Sequence, residues 1–172
     1  MRKEIRIAGF GGQGIVLSGF ILGQAALLDG NVAVQSQSYG PEARGGAAKS
    51  EVIIADEKID YPRITKADVF IAMSQEAYDK LKGDLKKGCI MIVDKDLVRT
   101  NDRGLVKIPF TATADRLGKK IVANVMMLGA LTSMTEVVSK DSMLKAVKAN
   151  VPKKALDINL KAFEEGIKMG GR

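Results

Sequence analysis

Histidine is absent from this 172-residue chain, tryptophan is absent, and cysteine occurs once, at Cys89. Those gaps remove disulfide frameworks, Cys/His zinc sites, a histidine general base, and iron–sulfur ligation by this chain. Chemistry by the chain itself is left to carboxylates, lysines, tyrosines, backbone dipoles or a cofactor supplied elsewhere. No apolar run reaches the roughly 18 to 20 residues of a membrane span. The start Met1-Arg2-Lys3-Glu4 leads straight into an apolar strand rather than a signal-peptide core, so a cytoplasmic protein without a membrane role is expected. Aromatic residues make up 5% and none interleave with the lysine-rich stretches. A stacking platform for nucleic acid is therefore not expected, and the charge of the lysines reads first as solvated surface.

What is present is 46% hydrophobic and 27% charged, enough for one substantial core and little more, so a single domain over 1–172 is expected. The net charge of +7 is uneven: residues 1–86 carry 11 basic and 11 acidic groups, and 87–172 carry 16 and 9. The basic half suits an acidic protein partner or a polyanionic ligand.

Apolar runs and their period predict a strand at Ile5–Ala8, a helix over Ile15–Asp29 closed by Gly30, and a strand opening at Val32. The helix is expected to bury Leu17, Ile21, Ala25 and Leu28. Ser50–Ala55 and Ile59–Pro62 read as a hairpin about Asp56-Glu57-Lys58. Asp68–Met73 and Cys89–Val93 bracket a helix near Gln75–Leu85, and Leu105–Pro109 adds a strand. Beyond Thr111 the chain reads as helical, with segments at Thr113–Leu117, Val122–Thr135, after a Ser139 cap, and after Pro152, the last with a Leu156/Leu160/Phe163/Ile167 stripe. The expected fold is α/β: a three-layer, Rossmann-like sheet, mostly parallel with an antiparallel hairpin, and a helical C-terminal third.

Gly9, Gly11 and Gly14 satisfy G-x-G-x-x-G between the first strand and helix, where glycine lets backbone approach a phosphate at a helix N-terminus. A dinucleotide site also needs an acid at the end of the second strand for the ribose hydroxyls. Here that strand ends in Gln35-Ser36-Gln37, which lowers the NAD reading, while Arg44 keeps a 2′-phosphate of NADP open. A second loop follows at the same expected sheet edge, containing Ser38, Tyr39, Gly40, Pro41, Glu42, Ala43, Arg44, Gly45 and Gly46. Arg44 offers a bidentate fork for an anion, or pairs with Glu42 and stiffens the loop. Gly11, Gly12, Gln13 and Gly14 with Ser38, Tyr39, Gly40, Glu42, Arg44, Gly45 and Gly46 are the candidate binding or docking residues. No catalytic or metal-ligating residue is assigned.

Together, Gly11-Gly12-Gln13-Gly14, Leu22-Gly23-Gln24-Ala25, the segment Ser38 to Gly46, Glu51-Val52-Ile53-Ile54, Asp60-Tyr61-Pro62 and Ala123 to Ala130 resemble the gamma subunit of 2-oxoacid:ferredoxin oxidoreductases. Within that family, Ser38 to Gly46 is most similar to the 2-oxoglutarate branch; pyruvate and branched-chain branches are the alternatives. The resemblance implies a non-autonomous subunit of an assembly that decarboxylates a 2-oxoacid on thiamine diphosphate and Mg²⁺. Electrons pass through [4Fe–4S] centres to ferredoxin, and an acyl-CoA is released. It implies alpha, beta and delta partners that hold those cofactors, coenzyme A as co-substrate near the two loops, and a homodimer as a product of isolation. A free-standing NADP-dependent reductase and a non-catalytic nucleotide-binding module are the competing readings.

Overall fold

The computed structural model describes residues 1–38 and 46–171. Among them six strands form one sheet: β1 (Arg2–Phe10), β2 (Val32–Gln37), β3 (Ala47–Ala55), β4 (Ala67–Ala72), β5 (Leu85–Asp94) and β6 (Leu105–Ile108). Their order is β2-β3-β1-β4-β5-β6. Pairings β1–β4, β4–β5 and β5–β6 are parallel, while β3 runs antiparallel to both neighbours, β1 and β2. The mostly parallel α/β sheet with an antiparallel element is as expected. Its antiparallel strand is placed differently.

Residues 56–66 form no strand, so the expected hairpin of Ser50–Ala55 with Ile59–Pro62 is corrected. Instead β3 pairs along its whole length with β1, from Arg2↔Ala55 to Phe10↔Ala47, and the hairpin partner is β2. A nine-residue strand whose apolar side chains point to both faces gains most from a central position. That position separates β1 from β2, although the two still run the same way.

Among the described residues six α-helices accompany the sheet: α1 (Ile15–Leu28), α2 (Gln75–Leu81), α3 (Phe110–Leu117), α4 (Ala123–Thr135), α5 (Lys140–Asn150) and α6 (Leu156–Gly170). One face, with Ile5, Ile7, Val52, Ile54, Val69, Ile71 and Ile92, buries against α1 and the C-terminal helices. The opposite face carries small and aromatic side chains, Ala8, Ala72 and Phe70, and packs on α2 through Ala77 and Tyr78. Period-two alternation along each strand thus divides the core into two unequal layers. Below the sheet, Arg6 Nε bonds Glu51 Oε1 at 2.8 Å, and its Nη1 donates to the carbonyls of Leu81 and Gly83 at 3.2 Å. This buried cation is paired and capped by carbonyls, which is what keeps its burial tolerable.

Two helix faces differ from expectation. In α1 the buried residues are Ile15, Ser18, Gly19, Ile21, Leu22, Ala25 and Ala26, while Leu17 and Leu28 lie in solvent. In α6 the deepest positions are Asn159, Ala162, Phe163 and Gly166 rather than Leu156, Leu160 and Ile167, because α6 crosses α4 at backbone contact. Pro152 precedes a short 3-10 helix, Lys153–Ala155, that leads into α6 and is not part of its first turn. Ser139 does cap α5, accepting from Ser142 N–H, and donates to Asp29 at the end of α1. Burial works to raise the Asp29 pKa, but the hydrogen bonds from Ser139 and Ser142 outweigh it and hold the carboxyl below its ordinary value.

Candidate functional site

The first turn of the site is closed by a hydrogen bond from Gln13 N–H to the Phe10 carbonyl, and it requires glycine at Gly12 (φ 96°) and Gly14 (φ 75°). Gln13 straps this turn to the sheet. Its Oε1 accepts from Phe10 N–H at 2.9 Å, and its Nε2 donates to the Met73 carbonyl, just past β4, at 2.8 Å. Both amide atoms are engaged, so Gln13 serves as a brace for the turn. Gly9 belongs to β1, and a Cβ there would run into the Gln13 amide and Ile15 Cδ1.

Gly14 is the N-cap of α1, with no side-chain cap and no acidic residue in the first turn. The helices α2 and α5 are finished differently: Ser74 and Ser139 cap them, and Glu76 and Asp141 meet their positive ends. The N–H groups of the first turn of α1, without acceptors among the described residues, border a pocket of about 420 Å³ lined by Gly11, Gly12, Gly14, Val16, Ala48 and Asn124. Asn124, 5% exposed at the head of α4, accepts Val125 N–H at Oδ1. Its Nδ2 donates to no acceptor among the described residues and lies where a Gly14 side chain would be. A helix end without a side-chain cap, three glycines and the Asn124 amide share one wall, an arrangement of donors suited to an anion.

A second pocket of about 350 Å³ shares Phe10, Gly12 and Ile121 with the first and continues to Met73, Thr111 and Lys120. It lies over the C-terminal ends of the parallel strands β1, β4 and β5, the edge at which open α/β sheets receive ligands. Lys120 and Ile121 belong to a 3-10 helix, Lys120–Val122, that leads into α4. Lys120 makes no ion pair among the described residues and is exposed at the rim. Thr111 is held by Asp94 at the end of β5, which accepts from Thr111 N–H at 3.2 Å, Thr111 Oγ1 at 2.5 Å and Asp96 N–H at 3.0 Å. Burial pushes the Asp94 carboxyl above its ordinary pKa, against those three donors.

Of the second loop, the described ends are Ser38 and Gly46. Ser38 Oγ accepts Lys49 N–H at 3.0 Å and its N–H donates to the Lys49 carbonyl, so this hydroxyl closes the β2–β3 hairpin. The Phe10↔Ala47 register brings Gly46 beside the glycine turn, and Ala48 lines the same pocket. The described ends of the second loop, Ser38 and Gly46, therefore lie at the same sheet edge as the glycine turn. Tyr39, Gly40, Glu42, Arg44 and Gly45 lie outside the described residues. Lys120, Ile121 and Thr111 are additions the sequence did not single out; the pair Lys119-Lys120 between two helices was its only signal.

The dinucleotide reading loses its geometry here. In that arrangement the second strand lies beside the first, so its terminal acid reaches the ribose. With β3 inserted, β2 stands two strands from β1, about 10 Å away by the usual strand spacing. Its Gln35 is committed to the Val16 carbonyl and Ser50 Oγ.

Fold and site thus define an α/β unit with an interior antiparallel strand beside β1 and a glycine turn at the ends of its parallel strands. The chain belongs to the pyruvate ferredoxin/flavodoxin oxidoreductase family, whose model it matches over residues 4–169. It is 56% identical to the 2-oxoglutarate synthase subunit KorC of Methanocaldococcus jannaschii, covering 96% of this chain and 92% of that protein. Among solved structures it resembles the gamma subunit of keto/oxoacid ferredoxin oxidoreductase from Geobacter sulfurreducens, at 46% identity and a TM-score of 0.90 over 99% of this chain and 97% of that one. It also resembles the 2-oxoglutarate:ferredoxin oxidoreductase of Magnetococcus marinus, solved with 2-oxoglutarate, coenzyme A and succinyl-CoA bound. There the identity is 27% and the TM-score 0.88, over 98% of this chain and 31% of that one.

Proposed function

We infer that this chain is the gamma-type subunit of a cytoplasmic 2-oxoglutarate:ferredoxin oxidoreductase, working as one domain over 1–172. The assembly carries out CoA-dependent oxidative decarboxylation to succinyl-CoA and CO₂, with ferredoxin reduced. Support for the substrate is the 56% identity to a 2-oxoglutarate synthase subunit across nearly the whole of both chains. The chain is not autonomous. With one cysteine and no histidine it cannot ligate a four-cysteine cluster, and among the described residues no group of three or more His, Cys, Asp or Glu stands ready for a metal. Thiamine diphosphate, Mg²⁺ and the [4Fe–4S] centres belong, in this reading, to alpha, beta and delta companions.

The contribution of this chain is to hold coenzyme A. The observation that carries this is the uncapped N-terminus of α1, opening with the Asn124 amide onto the glycine-lined pocket. A CoA phosphate is received by the N–H groups of the turn and of the first turn of α1, where the helix dipole favours negative charge. Lys120 adds a cation at the rim, and the apolar wall of Phe10, Met73 and Ile121 accommodates the less polar part of the molecule. Arg44, outside the described residues, is assigned to the same ligand on its loop position.

Lys120→Ala tests this directly, because an exposed side chain can be removed without disturbing the core. In the assembled complex the KM for CoA is expected to rise about tenfold, the loss of one charge-assisted contact, with kcat and the KM for 2-oxoglutarate little changed. An unchanged KM for CoA refutes the role of Lys120.

A further inference from the structure

Helix α1 carries no charged residue from Ile15 to Leu28. A helix that is apolar on every side belongs inside a structure, yet one side of this one faces water. Val16 is 39% exposed, Leu17 38%, Phe20 53% and Leu27 59%. Val16, Phe20, Gly23 and Leu27 follow the i, i+4, i+7, i+11 spacing, so they form one stripe along the helix. At its N-terminal end the stripe meets Phe10 and Ile121, themselves 44% and 51% exposed, across the pocket they line with Val16 and Leu17. Contiguous exposed apolar surface of this kind marks an interaction site.

We propose that this face of α1, with Phe10 and Ile121, is the surface on which a companion subunit of the oxidoreductase docks through an apolar patch set in an acidic surface. The proposal rests on the reading of the chain as a gamma-type subunit. Charge favours such a companion over a second copy of this chain: each copy carries +7, and Lys119 and Lys120, which make no ion pair among the described residues, stand beside Ile121, so a carboxylate-rich partner is attracted where a like copy is repelled. The exposed flank of the 14-residue helix is about 20 Å by 10 Å, well short of the roughly 800 Å² per partner of a standard interface, so the contact has to continue over Phe10 and Ile121. In the Magnetococcus marinus enzyme the matching domain is about a third of its polypeptide, so there it is bound covalently to further chain.

Docking at this place also bears on the ligand. The stripe begins at the mouth of the glycine-lined pocket, so a companion seated on it completes the pocket wall and excludes water from the bound anion.

The test is co-expression of the wild-type chain, Phe20→Asp, Phe20→Gln and Leu27→Asp with the companion subunits, followed by affinity purification and light scattering. Both positions are exposed, so the variants are expected to keep the wild-type circular dichroism and melting temperature; Phe20→Gln gives the reading without a charge if an aspartate lowers solubility. The expected result is capture of companions by wild type, at least about tenfold weaker capture by each variant, and slower wild-type assembly as salt rises. Full-strength capture by folded variants overturns the proposal and leaves the gamma reading standing. A wild-type dimer that Phe20→Asp splits into monomers assigns the face to a second copy and also overturns it. Failure of the wild-type chain to capture any oxidoreductase subunit removes both the proposal and the reading beneath it.

Discussion

Gly166→Ala is expected to cost about 2 to 3 kcal/mol of folding stability, a sizeable part of what a domain of this size has. The cause lies where α6 crosses α4. A Cβ at Gly166 would overlap the Met126 carbonyl oxygen, stand 2.8 Å from its carbon and 3.0 Å from the Ala130 nitrogen. These are backbone atoms of a buried helix, so no side chain can rotate away. Gly129, opposite, faces Gly166 Cα at 3.1 Å from its own missing Cβ, so the two glycines make the close approach together. Relief requires the helices to separate, and α4 also carries Asn124 and is buried from Ala123 to Thr132. Denaturant titration of the chain measures the loss. A cost below about 1 kcal/mol would mean that α4 and α6 cross at a greater distance than described here.

Gly14→Ala is expected to damage the site more than the fold. It places an alanine at φ 75°, a left-handed conformation costing about 1 to 2 kcal/mol for a side chain with a Cβ. Its methyl group also lands on the Asn124 amide, which must turn out of its position. The KM for CoA in the assembled complex should rise by about two orders of magnitude, since both the nest of N–H groups and the amide donor are disturbed. Gly12→Ala is the comparison: φ is 96° there, but the space around the missing Cβ is open, so backbone strain acts without displacement of Asn124. The double variant Gly14→Ala/Asn124→Ala removes the clash and should recover part of the stability while CoA binding stays weak. Recovery of both would mean that Asn124 supports the turn but does not meet the ligand.

How legible all this was in the sequence depended on the distance over which each feature is decided. Strands β1, β4, β5 and β6 announce themselves as short apolar runs between turn residues, and Ser139 and Gly30 mark helix ends by local chemistry. The central place of β3 is a long-range pairing of Arg2–Phe10 with Ala47–Ala55, and neither segment states which neighbour it takes. Phase in α1 was misread because a helix without charge gives periodicity no contrast, so Leu17 and Leu28 looked as buried as Leu22. In α6 the packing face is built from Asn159, Ala162 and Gly166, and a stripe search follows large apolar residues instead.

The site shows the same division. The glycines of the turn and its place before a helix are visible as letters, while the brace that Gln13 makes to a carbonyl 60 residues away has no local signature. Asn124 is likewise explained only by Gly14, more than a hundred residues earlier. The missing acid after Val34 and the strand order point the same way, since β3 stands between β1 and β2 where a nicotinamide site would need them adjacent.

Where coenzyme A is held decides what this chain contributes to the assembly. Hydrogen–deuterium exchange of the assembled complex, with and without saturating CoA, reads this without any substitution. The prediction is slowed exchange of amides from Gly11 to Ser18, at the turn and the start of α1, and around Lys120 to Asn124. CoA-dependent protection confined to the companion subunits, with these segments unchanged, would contradict it.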